Sequence, residues 1–285
     1  MTPDSAAAAL RLAADRLRAA GQPSPEADAR ILLAHVLDRT PGTLIAAGPP
    51  APGEWAAFEN LVARREAGEP LQHLTGEAWF RTVRVEVGPG VFTPRPETEV
   101  MTGWAIERLA ELRGTVPEPV VVELCAGSGA ISLAIAAEAP GCRQHAVELS
   151  GEAWAYAARN LRDTGVDLVE GDMAEAFGEL DGTVDLVICN PPYVPLDAWL
   201  GVTEEVRRHE PALALFSEAD GLGALRVLAD VGARLLRPGG LLCAEHAEVQ
   251  AETAPAIFRR HGAWAGVRDH RDLTGRPRFL TAVRR

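Results

Sequence analysis

Short apolar runs alternate with longer segments of helical periodicity from Pro119 to the end of the chain. Several of the runs are rich in Val, Leu and Ile, and all of them have the length of strands. We predict seven strands, at residues 120–124, 143–148, 166–170, 184–189, 240–245, 264–269 and 279–283. Predicted helices lie among them at residues 130–138, 151–162, 222–236 and 248–260. Such alternation predicts an α/β fold in which a mostly parallel, seven-stranded sheet carries helices on both faces.

The first part of the chain has a different pattern. Three segments, at residues 4–20, 25–40 and 54–67, have apolar positions at helical spacing and are separated by Gly and Pro. Residues 77–87 then change to strand-like alternation, which predicts a hairpin with Gly88-Pro89-Gly90 in or beside a turn. We therefore predict a helical domain over residues 1–75, a β-hairpin linker over 76–95 and a larger domain over 96–285.

Composition narrows the class of protein. The formal net charge is −12 and all 28 basic residues are Arg, which argues against non-specific binding of duplex nucleic acid. No apolar run has the roughly 18 residues of a membrane span, and the first 20 residues look amphipathic rather than secretory. The four cysteines include no Cys-x-x-Cys pair. We expect a cytoplasmic monomer with reduced thiols and no metal site.

The strand predicted at 184–189 is followed by Asn190-Pro191-Pro192-Tyr193. Two prolines cannot donate ladder hydrogen bonds, so the backbone must leave the sheet there in a stiff, extended form. This would hold Asn190 and Tyr193 at the carboxyl end of a strand, where open α/β sheets bind ligands.

That tetrapeptide suits methylation of a planar nitrogen. The Asn190 side-chain oxygen and the Pro191 carbonyl can accept both hydrogens of an amide or exocyclic amine, while Tyr193 stacks on its flat face. Alignment of this kind turns the nitrogen lone pair toward an incoming methyl group. The alternative interpretation is a structural Pro-Pro turn after a strand.

A glycine-containing turn, Gly127-Ser128-Gly129, joins the first strand of the sheet to its helix. Glycines there allow a ligand to approach the backbone closely at a helix N-terminus. A dinucleotide site is the obvious competitor, but its fingerprint has a third glycine where this chain has Ser132, and it does not normally follow an acid such as Glu123.

An acidic residue ends the second strand, and another follows the third strand in Gly171-Asp172-Met173. Glu148 is placed to accept hydrogen bonds from both hydroxyls of a ribose. Asp172 is placed to accept one from an adenine amino group, with Met173 packed on the ring. Together with the glycine turn and Asn190-Pro191-Pro192-Tyr193, these side chains describe a site for S-adenosylmethionine beside an acceptor nitrogen.

Thr93–Glu99 has the sequence Thr-Pro-Arg-Pro-Glu-Thr-Glu and runs into a helix predicted over residues 96–114. Pro96 can open that helix, with Glu97 and Glu99 in its first turn. The segment is either a linker followed by a capped helix or a wall of the active site, and the sequence leaves both interpretations open.

The chain resembles the release factor glutamine methyltransferases, which are class I S-adenosylmethionine enzymes with a Rossmann-like fold. Segments that carry the resemblance, besides the Asn-Pro-Pro-Tyr motif, are 28–37, 68–76, 93–99, 210–215, 220–222, 237–240, 245–246 and 272–279. The resemblance implies methyl transfer to the amide nitrogen of the Gln in the Gly-Gly-Gln motif of peptide chain release factors. It also implies that the N-terminal helices help to dock the release factor.

The resemblance assigns residues as well. Cofactor binding falls to Glu123, Cys125, Ala126, Gly127, Ser128, Gly129, Glu148, Asp172, Met173 and Asn190. Binding of the Gln amide falls to Asn190, Pro191, Pro192 and Tyr193, with Asn190, Pro191 and Tyr193 acting in catalysis. The family often has Asp at the positions of Glu123 and Glu148 and an aromatic residue at Met173, departures that bear on affinity more than on chemistry.

We therefore expect direct in-line transfer, with no covalent enzyme intermediate and no metal. Two other classes of function compete with this one. A nucleic-acid adenine-N6 methyltransferase uses the same tetrapeptide on an exocyclic amine, although the acidic balance and the absence of Lys count against it. A non-catalytic module that binds release factor or ribosome would have no use for the tetrapeptide and the glycine turn. A dinucleotide-dependent oxidoreductase is the most distant alternative.

Overall fold

The structure is a computed structural model that describes residues 3–201, 203–217 and 220–285. Within these residues the chain forms two compact units. The first contains residues up to 77 together with 203–209, and the second contains the remainder. The three-part domain division given above stays a prediction, and residues 1, 2, 202, 218 and 219 of those domains lie outside the described part.

The first unit is a bundle of helices around its own core. Its helices are α1 (Ala6–Ala19), α2 (Pro25–Val36), α3 (Pro52–Glu66), α4 (Leu71–Thr75) and α8 (Glu204–His209), with a 3₁₀ helix at Pro41–Ala46. Ser5 caps α1 by accepting a hydrogen bond from the Ala8 amide. Leu17, Leu32 and Phe58 lie fully buried between the helices. The three predicted helices are confirmed, whereas α4 and α8 are too short to give a periodic signal in the sequence.

A buried arginine links the elements of this unit. The Arg65 guanidinium on α3 forms ion pairs with Asp28 on α2 at 2.8 Å and with Glu205 on α8 at 2.7 Å. Because Arg65 and Asp28 are both buried, each charge is stabilised by the other instead of by water. This pairing explains why a helix 140 positions away in sequence belongs to the N-terminal bundle.

The predicted hairpin consists of β1 (Glu77–Phe80) and β2 (Val83–Glu86). Its turn is made by Arg81 and Thr82, with Arg81 at a φ of 51°, while Gly88-Pro89-Gly90 forms a separate turn just beyond it. Phe80 and Val85 pack into a core of the second unit.

The second unit is built on seven strands in the order β5-β4-β3-β6-β7-β9-β8. Their bounds are β3 (Val120–Leu124), β4 (Arg143–Glu148), β5 (Asp167–Glu170), β6 (Val184–Cys189), β7 (Leu236–Glu245), β8 (Trp264–Arg271) and β9 (Pro277–Arg284). Among the described residues, the antiparallel pairings of this sheet are those of β9 with β7 and with β8. The mostly parallel seven-stranded sheet is confirmed.

Helices cover both faces of this sheet. They are α5 (Thr98–Leu112), α6 (Ala130–Glu138), α7 (Gly151–Leu161), α10 (Gly223–Leu235) and α11 (Thr253–His261). The unit also contains the short helix α9 (Ala212–Leu215) and 3₁₀ turns at Gly178–Leu180, Leu196–Gly201 and Glu248–Gln250. Two predicted boundaries were wrong. The helix expected over 248–260 is divided into a 3₁₀ turn and α11, and the strand expected at 240–245 already begins at Leu236. No helix among the described residues is long and apolar enough to cross a membrane.

Alternate side chains of the central strands point into two separate cores. On β3, Val122 and Leu124 contact one core, and Val121 contacts the other. The strand is buried on both faces, as expected where a parallel sheet is covered by helices. This explains why the sequence of β3 is apolar at four of five positions rather than alternating, with Glu123 as the exception.

The sheet changes direction between β3 and β6. Strands β3, β4 and β5 add outward on one side, after which β6 returns to the other side of β3. In register, Leu124 pairs with Cys189, so the loop after β3 and the tetrapeptide after β6 begin at the same edge of the sheet. Ligands of open α/β sheets bind at such a switch point.

Candidate active site

The loop after β3 is shaped by unusual backbone conformations. Cys125, Gly127 and Gly129 have φ values of 59°, 56° and 76°, in the region that favours glycine. A Cβ on Gly127 would meet nothing within 4 Å, whereas one on Gly129 would lie 3.0 Å from Leu161 on α7. The loop is thus packed on its Gly129 side and open over Gly127.

Glu148, at the end of β4, holds this loop. Its Oε2 accepts a hydrogen bond from the Gly127 amide at 2.7 Å, and its Oε1 accepts one from the Ser150 amide at 2.8 Å. Each carboxylate oxygen has a second lone pair, so the group keeps acceptor capacity for a hydroxyl. The acid predicted to hold a ribose therefore also fixes the open side of the glycine loop.

Glu123 lies beneath the loop, with its side chain 1% exposed. Its Oε2 accepts hydrogen bonds from both the amide and the hydroxyl of Ser132, the residue that stands where a dinucleotide fingerprint has its third glycine. Burial raises the pKa of the Glu123 carboxyl to about 8, although the Ser132 hydrogen bonds lower it. This arrangement gives Glu123 the geometry of a support for the loop.

Replacing Glu123 by Gln is expected to remove a pH-dependent loss of stability. The folded-state pKa of about 8 exceeds the ordinary value of 4.5, so the stabilising contribution is complete below the unfolded pKa and disappears as the pH rises through 8. Between about pH 5 and pH 8.5, the free energy of unfolding of the wild type should fall by about 2–4 kcal/mol more than that of Glu123→Gln. Denaturant titrations at a series of pH values measure this difference, and parallel profiles would contradict it.

The other residues of the predicted cofactor set line or support the same edge. Cys125 Sγ lies 3.6 Å from Met173 Sδ, which brings the loop after β3 against the turn after β5. Asp172 Oδ1 accepts a hydrogen bond from the Ala174 amide, so one of its oxygens shapes the turn. Ala126 and Ser128 are buried, and their backbones tie the loop to β4 and to Asn160 on α7.

Asn190 begins the irregular segment after β6. Its Nδ2 donates to Thr98 Oγ1 at 3.3 Å. Within the described part of the chain, neither Asn190 Oδ1 nor the Pro191 carbonyl accepts a hydrogen bond. The two acceptors that the sequence predicts for an N–H₂ group are therefore both available.

Tyr193 is held by its hydroxyl, which donates to Glu245 Oε1 at 3.0 Å. Burial raises the pKa of the Tyr193 hydroxyl well above its usual range, so it remains a proton donor. Burial also raises the pKa of the Glu245 carboxyl to about 7, although hydrogen bonds from Thr98 and Tyr193 lower it. Tyr193 is thus anchored at one end, with its ring partly buried.

The backbone after Tyr193 is fixed by three further hydrogen bonds. Gln250 Nε2 donates to the Tyr193 carbonyl at 3.0 Å, and the Val194 amide and carbonyl bond to Leu215 and Ser217. Gly221 has a φ of 70°, and a Cβ there would lie 2.4 Å from the Tyr193 carbonyl. The segment from Asn190 to Val194 is therefore held at both ends.

The Thr93–Glu99 segment forms a wall of this site. The Thr93 amide and the Arg95 guanidinium both bond to the buried Glu210 carboxylate, at 3.2 and 2.8 Å. Thr98, the first residue of α5, lies against Asn190 and donates to Glu245 Oε2 at 2.6 Å. Of the two interpretations left open by the sequence, the structure favours the wall over the linker.

Comparison with known proteins identifies the family. A family model described as the PrmC N-terminal domain matches residues 8–76, and one described as a methyltransferase domain matches residues 121–210. A protein of Streptomyces coelicolor named release factor glutamine methyltransferase is 51% identical over 95% of this chain and 95% of its own length. This chain belongs to the release factor glutamine methyltransferase family.

Two further relatives of this chain extend the comparison. A protein of the same name from Mycolicibacterium smegmatis is 43% identical over 97% of this chain and 96% of its own length. A 4-amino-L-phenylalanine/4-methylamino-L-phenylalanine methyltransferase of Streptomyces pristinaespiralis is also 43% identical, over 91% of this chain and 89% of its own length. The family resemblance read from the sequence is confirmed.

Solved structures agree on the fold. The hMettl16 catalytic domain in complex with a MAT2A 3′UTR hairpin superposes with a TM-score of 0.53 at 15% identity, covering 82% of this chain and 81% of that chain. At that identity the likeness concerns the fold alone. The Rossmann-like class I methyltransferase architecture is confirmed.

Methyltransferases of this class take their methyl group from S-adenosylmethionine, and the residues of this family member fit that cofactor. The space above Gly127 is open where a Cβ would intrude, and Glu148 borders it with unused acceptor capacity. The thioether of Met173 and the thiol of Cys125 offer a polarizable, apolar contact nearby.

The structure also shows site residues to which the sequence assigned no role. Thr98, Glu245, Gln250 and Arg278 support the tetrapeptide or its partners. Thr98, Glu245 and Arg278 lie inside segments that carry the family resemblance, and this is the signal in the sequence that marks them, whereas Gln250 lies outside those segments. Their contacts with Asn190 and Tyr193 join residues far apart in the chain, which no local pattern encodes.

Proposed function

We propose that this protein transfers a methyl group from S-adenosylmethionine to the side-chain amide nitrogen of the Gln in the Gly-Gly-Gln motif of peptide chain release factors. The observation that carries the proposal is the pair of unoccupied acceptors, Asn190 Oδ1 and the Pro191 carbonyl, at the sheet edge that also carries the glycine loop. Relatives at 51% and 43% identity, named release factor glutamine methyltransferase, support it.

In this proposal, the acceptors orient the amide. One N–H of the glutamine donates to Asn190 Oδ1 and the other to the Pro191 carbonyl, which turns the face of the nitrogen toward the donor. Pro191 and Pro192 limit backbone motion, so the two acceptors keep their spacing. Tyr193, anchored through its hydroxyl, presents its ring to the flat face of the amide.

The same contacts strengthen as the reaction proceeds. When bound, S-adenosylmethionine would supply an electrophilic methyl group to the amide nitrogen, and the electron pair of its S–C bond would stay on sulfur. Positive charge develops on the amide nitrogen, and its N–H groups become stronger donors to Asn190 and Pro191 before one proton leaves. Acceptors fixed in advance therefore bind the transition state better than the planar amide.

Cofactor binding is proposed for the residues around the glycine loop. Gly127 gives backbone access, Glu148 accepts from the ribose hydroxyls, and Asp172 accepts from the adenine amine through its second oxygen. Cys125, in the loop after β3, and Met173, in the turn after β5, contact the cofactor where these two segments meet. Glu123, Ala126, Ser128 and Gly129 act by holding the loop, and Asn190 borders both substrates.

The release factor is proposed to be a protein partner that also contacts the N-terminal bundle, which the PrmC N-terminal family model covers. We further propose that the protein works in the cytoplasm as a monomer and binds neither membrane nor nucleic acid directly. The net charge of −12 supports the last of these statements.

A transfer assay with three acceptors tests the proposal. Labelled S-adenosylmethionine is supplied with purified release factor, with 4-amino-L-phenylalanine, or with adenine-containing RNA or DNA at low salt. We expect label on the release factor, at a rate at least about 100-fold above that on the others, because a specific acceptor gains alignment that others lack. Transfer confined to nucleic acid, or to no acceptor at all, would refute the proposal.

A second candidate function follows from one comparison. The relative named for 4-amino-L-phenylalanine is 43% identical to this chain, and the amine in that name carries two N–H donors like a primary amide. The two acceptors at Asn190 and Pro191 would suit such an amine equally well. Transfer to 4-amino-L-phenylalanine in the absence of any transfer to release factor would establish this function in place of the first.

A further inference from the structure

The direction of each hydrogen bond around Asn190 can be read from the chemistry of the groups. The Glu245 carboxylate, when ionised, only accepts. Thr98 Oγ1 lies 2.6 Å from Glu245 Oε2, and the Tyr193 hydroxyl lies 3.0 Å from Glu245 Oε1. Each hydroxyl has a single proton and must therefore donate it to Glu245. Thr98 then has no proton left for a second partner.

This fixes the amide of Asn190. Thr98 Oγ1 can only accept from the neighbouring side chain, so the atom of Asn190 facing it must be the donor Nδ2, at 3.3 Å. The other atom, Oδ1, consequently faces the site as an acceptor. The reverse orientation would place two acceptors, Asn190 Oδ1 and a proton-depleted Thr98 oxygen, against each other.

Burial makes this arrangement hard to replace by water. Thr98 is 4% exposed and Glu245 is 1% exposed. Arg278 supplies positive charge close to Glu245, and its guanidinium is itself held by Asp272 at 3.3 Å. An ionised carboxylate is therefore both enclosed and electrostatically supported at this position.

We infer that Glu245 and Thr98 are positioning residues that set the amide orientation of Asn190, so that the site presents an acceptor to the substrate nitrogen. This inference rests on the proposed function and deepens it. A flipped Asn190 would present N–H donors, which would repel the N–H₂ group of a glutamine and favour a carbonyl instead. The two residues thus determine which chemical class of acceptor the site takes.

The chain offers a matched pair of variants for a test. Thr98→Val removes the hydroxyl while keeping the shape of the side chain, and Thr98→Ser keeps the hydroxyl. Thr102→Val is the control, because Thr102 is a buried threonine one turn later on α5 whose hydroxyl, within the described part of the chain, bonds to the Thr98 carbonyl alone. Glu245→Gln gives an independent change, because an amide cannot accept two hydrogen bonds through both of its terminal atoms.

Each variant is assayed for methyl transfer to release factor at about pH 8, above the Glu245 pKa of about 7, with cofactor affinity measured by calorimetry. We expect Thr98→Val and Glu245→Gln to lower kcat about tenfold or more, with KM for release factor and the Kd of S-adenosylmethionine within about threefold of wild type. KM should change little because a large protein substrate gains most of its affinity elsewhere. Thr98→Ser and Thr102→Val should stay within about twofold to threefold of the wild-type kcat.

A double-mutant cycle decides whether Thr98 acts through Asn190. In an Asn190→Ala background, Thr98→Val should lower kcat no further, because there is no longer an amide to orient. Additive losses, equal losses from Thr98→Val and Thr102→Val, or a wild-type kcat in Thr98→Val would each overturn the inference. Thr98→Ala replaces Thr98→Val if the latter fails to fold.

The wild-type arm separates this inference from the proposed function. If the wild type transfers no methyl group to release factor, the proposed function fails, and the variants are compared on the acceptor that the wild type does methylate. If the wild type methylates release factor and the Thr98 variants follow the control, the inference alone fails.

Discussion

Replacing Asn190 by Ala is expected to lower kcat for release factor methylation by about 100-fold to 1000-fold, the effect typical of deleting one fixed group that stabilises transition-state charge. The substitution removes Oδ1, one of two acceptors that hold the substrate amide, and leaves the Pro191 carbonyl alone. Initial rates with saturating release factor and labelled S-adenosylmethionine measure the loss.

The internal control for this variant is cofactor affinity. The glycine loop and Glu148 are untouched by the substitution, so the Kd of S-adenosylmethionine should stay within about threefold of wild type. A parallel collapse of cofactor binding would show that Asn190 acts mainly on the cofactor, and a normal kcat would show that it has no role in catalysis.

Replacing Glu148 by Ala is expected to raise the Kd of S-adenosylmethionine about 100-fold or more. The variant loses the proposed acceptor for the ribose hydroxyls and also frees the Gly127 amide from its 2.7 Å hydrogen bond. Two such losses of about 1.4 kcal/mol each correspond to that factor. Calorimetric titration with S-adenosylmethionine or its demethylated product measures the change directly.

Glu170→Ala is the matched control. Glu170 ends the neighbouring strand β5, pairs in register with Glu148 and is exposed to solvent. Glu170 has the same charge as Glu148 and lies at the same position along the neighbouring strand. We expect its removal to leave the Kd of S-adenosylmethionine within about twofold of wild type. Equal effects from the two variants would mean that Glu148 contributes only through net charge.

The framework of the site could be predicted because it depends on local patterns. Strands β3, β4 and β6 were predicted to the residue. Strands β3 and β6 are compact, β-branched and mostly apolar runs with a sharp end, whereas β4 was placed by its position between two helical segments. The double proline ended β6 at Cys189 as expected. Once the strands were placed, their carboxyl ends brought the glycine loop, Glu148 and Asn190 to one edge.

The remaining details depend on contacts that no local pattern encodes. The hydrogen bond between Asn190 and Thr98 joins residues 92 positions apart, and that between Thr98 and Glu245 joins residues 147 apart. The start of β7 at Leu236 could not be predicted from the sequence, because Pro238 and two glycines follow almost immediately and these residues disfavour a strand. Tertiary packing overrides local propensity at such points.

Methylation of a release factor is best compared with methylation of the same factor with its Gly-Gly-Gln changed to Gly-Gly-Ala. Both proteins are incubated with this enzyme and labelled S-adenosylmethionine, and the labelled peptide is then mapped. We expect label on the first protein alone, on the glutamine side chain of that motif. Equal label on both proteins, or label on another residue, would contradict it.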